Sequence, residues 1–252
     1  MGIYADRVIA VRTKKTVYRD GDTALKVFDP GYSKAGVLDE ARNMALAEES
    51  GLNVPQVLEV LRMEGKWAIR WEYIPGNTLE RLMEEHPEKH GEYWNRFAEI
   101  QAEVFSRHAP MLNRQKDRMA RRIDSAPLEG AEKAALRARL SAMPEKDAIC
   151  HGDFMPANIV IKPDSAPYLL DWVHVTQGDP AADAAQTYLL LRLRGQGPAA
   201  EEYLELLCGK AKIEKEDVRD WLPLVAASQL AACRPREKGP LLRWIGDKGI
   251  KG

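Results

Sequence analysis

The feature that most constrains the fold of this chain is a segment with an aspartate and an asparagine five positions apart, Asp153 and Asn158, and a second aspartate, Asp171, further on. Apolar runs over residues 159–161 and 168–170 predict two short strands that follow the first pair and are joined by a turn. Asp171 comes directly after the second run. The three polar side chains are therefore predicted to lie in loops at the ends of buried strands, where functional residues concentrate.

Asp153, Asn158 and Asp171 together supply what phosphoryl transfer requires of a protein. The reaction needs a base for the attacking hydroxyl and oxygen ligands for the magnesium that neutralises the phosphates. The catalytic loop of protein kinases has an Asp and, five residues later, an Asn. A second Asp, in a separate short motif, binds magnesium. Each residue alone is equally well explained as part of an ordinary turn or strand end, so the prediction depends on their combination.

Composition and charge exclude several classes of protein. In a chain of 252 residues, 45% are hydrophobic and 30% are charged, as expected for a soluble globular protein of one large domain or two lobes. The net charge of -1 gives no overall attraction to nucleic acid or an acidic membrane. Because membrane-span and signal-peptide patterns are lacking, we expect a cytoplasmic protein with no nucleic-acid or membrane partner.

The three cysteines, Cys150, Cys208 and Cys233, are widely separated and lack the spacing of metal ligands. We expect free thiols in a reducing compartment. Cys150 is predicted to be a small buried residue on a strand.

The first third of the chain is predicted to form strands with one helix inserted. Alternating β-favouring segments predict strands over residues 8–11, 16–19 and 23–28, and a hairpin of residues 56–63 and 66–73. Helical spacing of apolar residues predicts a helix over residues 33–50 with Ser33 as its N-cap.

The rest of the chain is predicted to be mostly helical, with the strand pair around Asn158 and Asp171 as an interruption. Asp179 and Pro180 form an N-cap and first-turn pair that opens another helix. The remaining helices are predicted over residues 78–85, 93–108, 114–123, 131–142, 199–208 and 214–232, the last with a kink at Pro223. The fold class is therefore α+β, with a β-rich N-lobe over residues 1–75 and a larger helical C-lobe over residues 76–252.

This organisation and the loop at His151 resemble the aminoglycoside phosphotransferases and choline kinases, small-molecule kinases with a protein-kinase-like two-lobed fold. Gly152 stands where protein kinases have an arginine, and Trp172 replaces the Phe-Gly that follows their second aspartate. Both departures favour the small-molecule kinases over protein kinases. The resemblance extends from the strand that carries Lys26 to the helix after Asp179.

The resemblance implies a site for ATP, with GTP not excluded. Lys26 would contact the α and β phosphates and Glu40 would hold it in place. Backbone groups of Glu72, Tyr73 and Ile74 would bind the adenine edge. The alternative for Lys26 and Glu40 is that both are ordinary surface residues.

The resemblance also implies the catalytic roles. Asp153 would accept the proton of the acceptor hydroxyl, while Asn158 and Asp171 would bind Mg²⁺. His151 would support the loop.

The loop over residues 12–16 departs from the protein-kinase pattern because it contains no glycine, which leaves the phosphate cover undefined. One interpretation is that Thr13, Thr16 or the lysines of the loop contact the γ-phosphate; for the lysines, a solvated hairpin tip is favoured.

The acceptor site is implied near Trp172, His174 and Asp183, although Asp183 could equally interact with the helix dipole. A cationic acceptor would require a carboxylate cluster, and a choline-type acceptor would require an aromatic cage. The candidate acids are Glu201, Glu202, Glu205, Glu214, Glu216, Asp217 and Asp220; basic residues are interleaved with them, which is also typical of a solvated helix face. The candidate aromatic residues are Trp172, Tyr188, Tyr203 and Trp221, and the alternative for these is a place in the core.

The predicted function is ATP-dependent transfer of the γ-phosphoryl group to a hydroxyl of a small molecule, such as an aminoglycoside-like or other antibiotic, an amino sugar or an amino alcohol. One alternative is a non-catalytic nucleotide-binding protein on the same fold, and another is a protein kinase. The identity of the acceptor, a role in antibiotic resistance and the oligomeric state do not follow from the sequence.

Overall fold

The computed structural model describes residues 7–12, 14–162 and 166–246. Within these ranges the strands are β1 (Arg7–Arg12), β2 (Lys15–Asp20), β3 (Thr23–Phe28), β4 (Val57–Met63), β5 (Lys66–Glu72), β6 (Asn77–Thr78), β7 (Ala148–Cys150), β8 (Ile159–Ile161), β9 (Tyr168–Leu169) and β10 (Thr176–Gly178). The α-helices are α1 (Lys34–Glu49), α2 (Leu79–Glu85), α3 (His90–Phe105), α4 (Gln115–Ser125), α5 (Gly130–Ala142), α6 (Pro180–Leu193), α7 (Gly197–Ala211), α8 (Lys215–Leu230) and α9 (Lys238–Ile245). The α+β fold class predicted from the sequence is confirmed.

The chain forms two compact units. The first contains the described residues of Met1–Leu82 and of Pro156–Val173, and the second contains those of Met83–Met155 and of His174–Gly252. These units differ from a simple division at residue 76, because β8 pairs with β6 and forms with it and β9 a separate three-stranded sheet within the first unit. A sequence pattern does not reveal such a long-range strand pairing.

The first unit is built around an antiparallel sheet with the strand order β1-β2-β3-β5-β4. β4 and β5 form the predicted hairpin, in which Met63 pairs with Lys66. Lys26 lies on the central strand β3, where it is opposite Val17 on β2 and Ile69 on β5. A central strand has neighbours on both sides, so Lys26 is held in a fixed register.

The two faces of β3 bury different clusters, as the alternation of its side chains predicts. Phe28 packs with Val37 and Ala41 of α1 on one face. Leu25 and Val27 pack on the other face with Ala68. Lys26 therefore shares its face with Phe28 and points to the side of the sheet that α1 covers.

The hairpin of β8 and β9 is fixed within the same unit by hydrogen bonds to the N-terminal part of the chain. The backbone N–H of Leu169 donates to the carbonyl of Asn53 at 2.9 Å. The Asn43 amide on α1 donates to the carbonyl of Trp172 at 3.4 Å. These contacts fix both ends of the segment that carries Asp171.

The second unit is mainly helical, with β7 and β10 as a short antiparallel pair. Asp179 caps α6 as predicted, because its side chain accepts a hydrogen bond from the N–H of Ala181. The predicted helices are present, with ends that differ by a few residues. α8 continues through Pro223 and does not end there.

The thiol of Cys150 is buried on β7, as predicted, and the three cysteines are free. In the part of the chain that the structure describes, no helix combines the length and hydropathy needed to cross a bilayer.

Candidate functional site

The first unit contains a cavity of about 550 Å³ that brings together most of the residues predicted to bind nucleotide and metal. Its apolar wall includes Met44, Trp71 and Leu170, which suit a flat aromatic ring. The polar side chains on its surface include five charged or amide groups, Lys15, Lys26, Glu40, Asn158 and Asp171, and also Tyr73, Thr78 and Glu80.

Lys26 is the centre of a buried ion-pair network. The residue is 3% exposed, and its ammonium donates to the carboxylate of Glu40 and, at 3.0 Å, to Oδ1 of Asp171. Glu40 reaches Lys26 because it shares the buried face of α1 with Val37 and Ala41, at helical spacing. The sequence prediction paired Lys26 with Glu40, and this pair is present.

The charges of this network alter the pKa values of its members in opposite directions. Burial disfavours the charged form of Lys26, but the carboxylates of Asp171 and Glu40 outweigh burial and raise its pKa. Burial would likewise raise the pKa of Asp171, yet the ammonium groups of Lys26 and Lys15 lower it well below its usual range. Asp171 is therefore ionised at neutral pH, as a cation ligand must be.

Lys15 is a member of the network that the sequence analysis missed. Its ammonium donates to Oδ1 of Asp171 at 3.0 Å, so the prediction of a solvated side chain is wrong for this lysine. Burial and the neighbouring Lys26 lower its pKa. The register pairs Lys15 with Phe28, which places it on the same face of the sheet as Lys26. Thr13 of the same turn is outside the described residues.

The backbone brings Asn158 and Asp171 to the same cavity. The N–H of Leu170 donates to the carbonyl of Asn158 at 2.8 Å. Asp171 follows with φ of 64°, a left-handed conformation that aspartate tolerates better than most residues. This turn directs the chain away from β9 immediately after the strand, and Asp171 is thereby presented at the strand end, as the sequence predicted.

The predicted adenine-binding segment is only partly available for a ligand. The N–H groups of Glu72 and Tyr73 already donate to the carbonyls of Gln56 and Asp22. Glu72 does not line the cavity, whereas Tyr73 and Ile74 do. Of the backbone groups predicted to bind adenine, the N–H of Ile74 and the carbonyl groups of the segment remain as candidates.

The loop that carries Asp153 belongs to the second unit and has a backbone conformation that requires glycine at position 152. Gly152 has φ of 79°, and a Cβ added there would be 2.5 Å from the carbonyl oxygen of His174. No other residue type fits both constraints without a shift. The backbone N–H of Asp153 donates to Nδ1 of the buried His151 at 3.3 Å, which agrees with the supporting role predicted for His151.

Asp183 supports this loop from α6. Its carboxylate is buried and accepts hydrogen bonds from the backbone N–H groups of His151 at 3.2 Å and Gly152 at 2.7 Å, and from the amide of Gln101 at 3.2 Å. Burial raises its pKa, and the hydrogen bonds from Gly152, Gln101 and His151 oppose this shift. The sequence analysis interpreted Asp183 either as a helix-dipole partner or as a residue of the acceptor site, and its support of the loop was not predicted.

A second cavity, of about 310 Å³, lies within the second unit. Asp153, His174 and Asp183 line it, together with two arginines of α4, Arg118 and Arg122. The arginines were not predicted, because no sequence pattern shows which face of α4 borders a cavity.

Several residues predicted for the acceptor site are placed elsewhere. Trp172 is fully buried in the first unit, and its indole N–H donates to the carbonyl of Leu169, which leaves no exposed surface for an acceptor. None of the candidate acids of α7 and α8 lines the cavity of the second unit. Glu201 instead interacts with Tyr188 and Arg192.

The described residues contain no group of three or more His, Cys, Asp or Glu side chains that could hold a metal ion by themselves. A magnesium ion bound together with nucleotide needs only one or two protein carboxylates, since phosphates and water complete its shell. The oxygen donors of Asn158 and Asp171 fit that requirement.

Comparison with known proteins places these features in a family. Residues 6–222 match the model of the phosphotransferase enzyme family. A comparison with curated proteins gave no match.

Solved structures with the same fold include enzymes of two types. The choline kinase LicA of Streptococcus pneumoniae has a TM-score of 0.67 at 14% identity, with 98% of this chain and 93% of that chain covered. An aminoglycoside-3'-phosphotransferase of type VIII has a TM-score of 0.64 at 20% identity, covering 88% and 92%. A mutant of aminoglycoside phosphotransferase APH(4)-Ia, in a complex with AMP-PNP and hygromycin B, has a TM-score of 0.66 at 14% identity, covering 96% and 90%. The protein-kinase-like fold is thereby confirmed.

Proposed function

Because the chain belongs to the phosphotransferase enzyme family, we propose that it transfers the γ-phosphoryl group of ATP to a hydroxyl group of a small molecule. The observation that carries this proposal is the buried network of Lys26, Glu40 and Asp171 beside Asn158 at one cavity. A buried lysine between two carboxylates costs desolvation free energy. A negatively charged ligand in the cavity would explain why a lysine is buried there.

The cavity of the first unit is proposed to bind the nucleotide. Lys26 contacts the phosphates and Glu40 keeps its ammonium in position. Lys15 is a second cation at the same carboxylate, and we propose that it exchanges Asp171 for a phosphate oxygen when nucleotide binds. The apolar wall near Trp71 and Ile74 accommodates the base.

Asn158 and Asp171 would hold a magnesium ion. Such an ion, when bound, neutralises the charge that develops on the phosphate oxygens. Asp171 is suited to this role because its pKa is lowered by two lysines, and it therefore stays ionised.

Asp153 is proposed to accept the proton from the acceptor hydroxyl. It lines the cavity of the second unit, where the acceptor would bind. His151, Gly152 and Asp183 hold the loop in one conformation, and this fixes the position of the carboxylate before the substrate arrives. Positioning of this kind accounts for a large part of catalysis in phosphoryl transfer.

The test is nucleotide turnover with Mg²⁺ and ATP across a panel of hydroxyl compounds, including aminoglycosides, amino alcohols, sugars, sugar acids and a general protein substrate. Asp153→Asn is the blank. Transfer to a small molecule that is lost in the variant is the expected result. Transfer only to protein, or nucleotide binding without transfer to any compound, would contradict the proposal and favour a protein kinase or a binding protein.

A further inference from the structure

The second cavity has a charge that does not suit the cationic acceptors of the two types of enzyme that share this fold. Arg118 and Arg122 are one helical turn apart on α4, so their side chains lie on the same face of the helix. Both line the cavity together with Asp153. The following inference rests on the proposed function, because it concerns the acceptor that Asp153 would activate.

Most of the hydrogen-bond donors on the two guanidinium groups are not used by the protein. Arg118 donates to the carbonyl oxygen and to Nδ1 of His174. Arg122 donates from Nε to the carbonyl of Ser228 at 2.9 Å. A guanidinium has five N–H donors, and neither arginine forms an ion pair with a carboxylate within the described ranges. The remaining donors are available to a ligand.

The charge of Asp183 favours the charged form of Arg118 and so offsets part of the positive charge, but neither carboxylate of the cavity forms a hydrogen bond or ion pair with the two arginines in the described residues. The carboxylate of Asp183 binds the loop, because it accepts hydrogen bonds from two backbone N–H groups and from the amide of Gln101. Asp153 is the proposed base. The hydrogen-bond partners of the two guanidinium groups are His174 and Ser228, so within the described residues neither arginine has a carboxylate in ion-pair contact.

Burial of the two arginines disfavours their charged forms, and this lowers their pKa values. Burial, together with the charges of Arg122 and Arg121, lowers the pKa of Arg118 to about 10. Burial also lowers the pKa of Arg122. Both side chains are still charged at neutral pH, and an anion between them would relieve the repulsion.

The lining also lacks what cationic acceptors need. In the structure as described, no Phe, Tyr or Trp borders the cavity, so it has no aromatic cage for a quaternary amine. A polycationic acceptor would face two arginines. The volume, about 310 Å³, is at the lower end of the range of ligand sites and suits a single ring or a shorter chain.

We propose that the acceptor carries an anionic group, a carboxylate or a phosphate ester, in addition to the hydroxyl that is phosphorylated, and that Arg118 and Arg122 bind this group. The planar fork of a guanidinium matches both kinds of anion. The substrate class is thus a small hydroxy acid, sugar acid or phosphorylated sugar. Amino sugars and amino alcohols are excluded from it.

Binding of four compounds of matched size tests the inference without requiring turnover. The compounds are glucuronate, glucose 6-phosphate, glucose and glucosamine, measured by calorimetry with excess Mg²⁺ and AMP-PNP. At least one anionic sugar is expected to bind roughly tenfold more tightly than glucose, with glucosamine the weakest. The two anionic compounds distinguish a carboxylate acceptor from a phosphate ester.

Three variants test whether the preference for an anionic sugar depends on Arg122. Arg122→Gln should abolish the preference for the anion, whereas Arg122→Lys, which loses the same hydrogen bond to Ser228 but keeps the charge, should retain part of it. Arg121→Gln removes an exposed arginine of the same helix that does not line the cavity, and it should keep the preference. Thermal unfolding followed by circular dichroism separates loss of binding from loss of fold.

Equal or absent binding of the four compounds would overturn the inference, as would an anion preference that survives in Arg122→Gln. A preference that follows the expected pattern, without transfer of phosphate to any compound, would support the anionic ligand and count against the phosphotransferase activity.

Discussion

At the scale of single residues, the candidate site depends on charges that are removed from water and paired with one another. Lys26 has two carboxylate partners, and one of them, Asp171, has a second lysine, Lys15. Removal of one member of a buried network leaves the others uncompensated. Stability and nucleotide binding should therefore respond together to changes in this network.

Replacement of Lys26 by Met should lower the free energy of unfolding by about 3 kcal/mol and greatly weaken nucleotide binding, because Glu40 would remain buried without its cation. The double variant Lys26→Met with Glu40→Gln should regain much of the stability but not the binding. Urea denaturation and calorimetry with AMP-PNP measure the two quantities. Equal stability of the single and double variants would show that the pair does not act as described.

The pH dependence of stability should report on Asp171. Its folded pKa is below the value of about 3.9 in an unfolded chain, so the folded state binds fewer protons. The stabilisation is complete above about pH 4 and is lost as the pH falls through the folded pKa. Wild type should lose more unfolding free energy than Asp171→Asn between about pH 5 and pH 2. Parallel pH profiles in denaturant titrations would be evidence against these ion pairs.

At the scale of elements, the loop before Asp153 is fixed by its neighbours on other elements. The carbonyl of His174 lies against Gly152, and Asp183 on α6 accepts the N–H groups of His151 and Gly152. The geometry of the loop is therefore determined by α6 and by the segment before β10, in addition to its own sequence.

Gly152→Ala and Gly195→Ala form a matched pair that measures this packing. Both glycines have φ of 79°, but only Gly152 has a neighbour within 4 Å of an added Cβ. Gly195→Ala should cost about 1–2 kcal/mol from backbone strain alone. Gly152→Ala should cost about 1–3 kcal/mol more and should also lower phosphoryl transfer. If the two variants have equal unfolding free energies, the contact with His174 is unimportant.

The sequence predicted those parts of the site that depend on local patterns. The β-favouring pattern predicted the strand that carries Lys26, and the end of an apolar run predicted the position of Asp171. The pairing of Lys26 with Glu40 was implied by the resemblance to small-molecule kinases. Lys15 was missed because its face depends on the register of β2 against β3, which sequence alone does not define. Arg118 was not predicted, because the sequence pattern of α4 does not show that its polar face borders a cavity.

At the scale of the whole molecule, each compact unit has its own cavity with its own chemistry. The cavity of the first unit presents lysines and magnesium-type ligands, and that of the second presents Asp153 and two arginines. We propose that the first cavity binds the nucleotide and that Asp153 accepts the proton in the second. The two functions should therefore be separable by mutation.

The most direct test of this division is the effect of Asp153→Asn on two quantities in the same preparation, the Kd for AMP-PNP with Mg²⁺ and the rate of phosphate transfer to the acceptor. We predict a Kd within about twofold of wild type and a rate reduced by roughly 10³-fold, as expected for loss of a general base. An unchanged rate, or a rate that falls only in proportion to nucleotide binding, would contradict the role of Asp153 and with it the proposed mechanism.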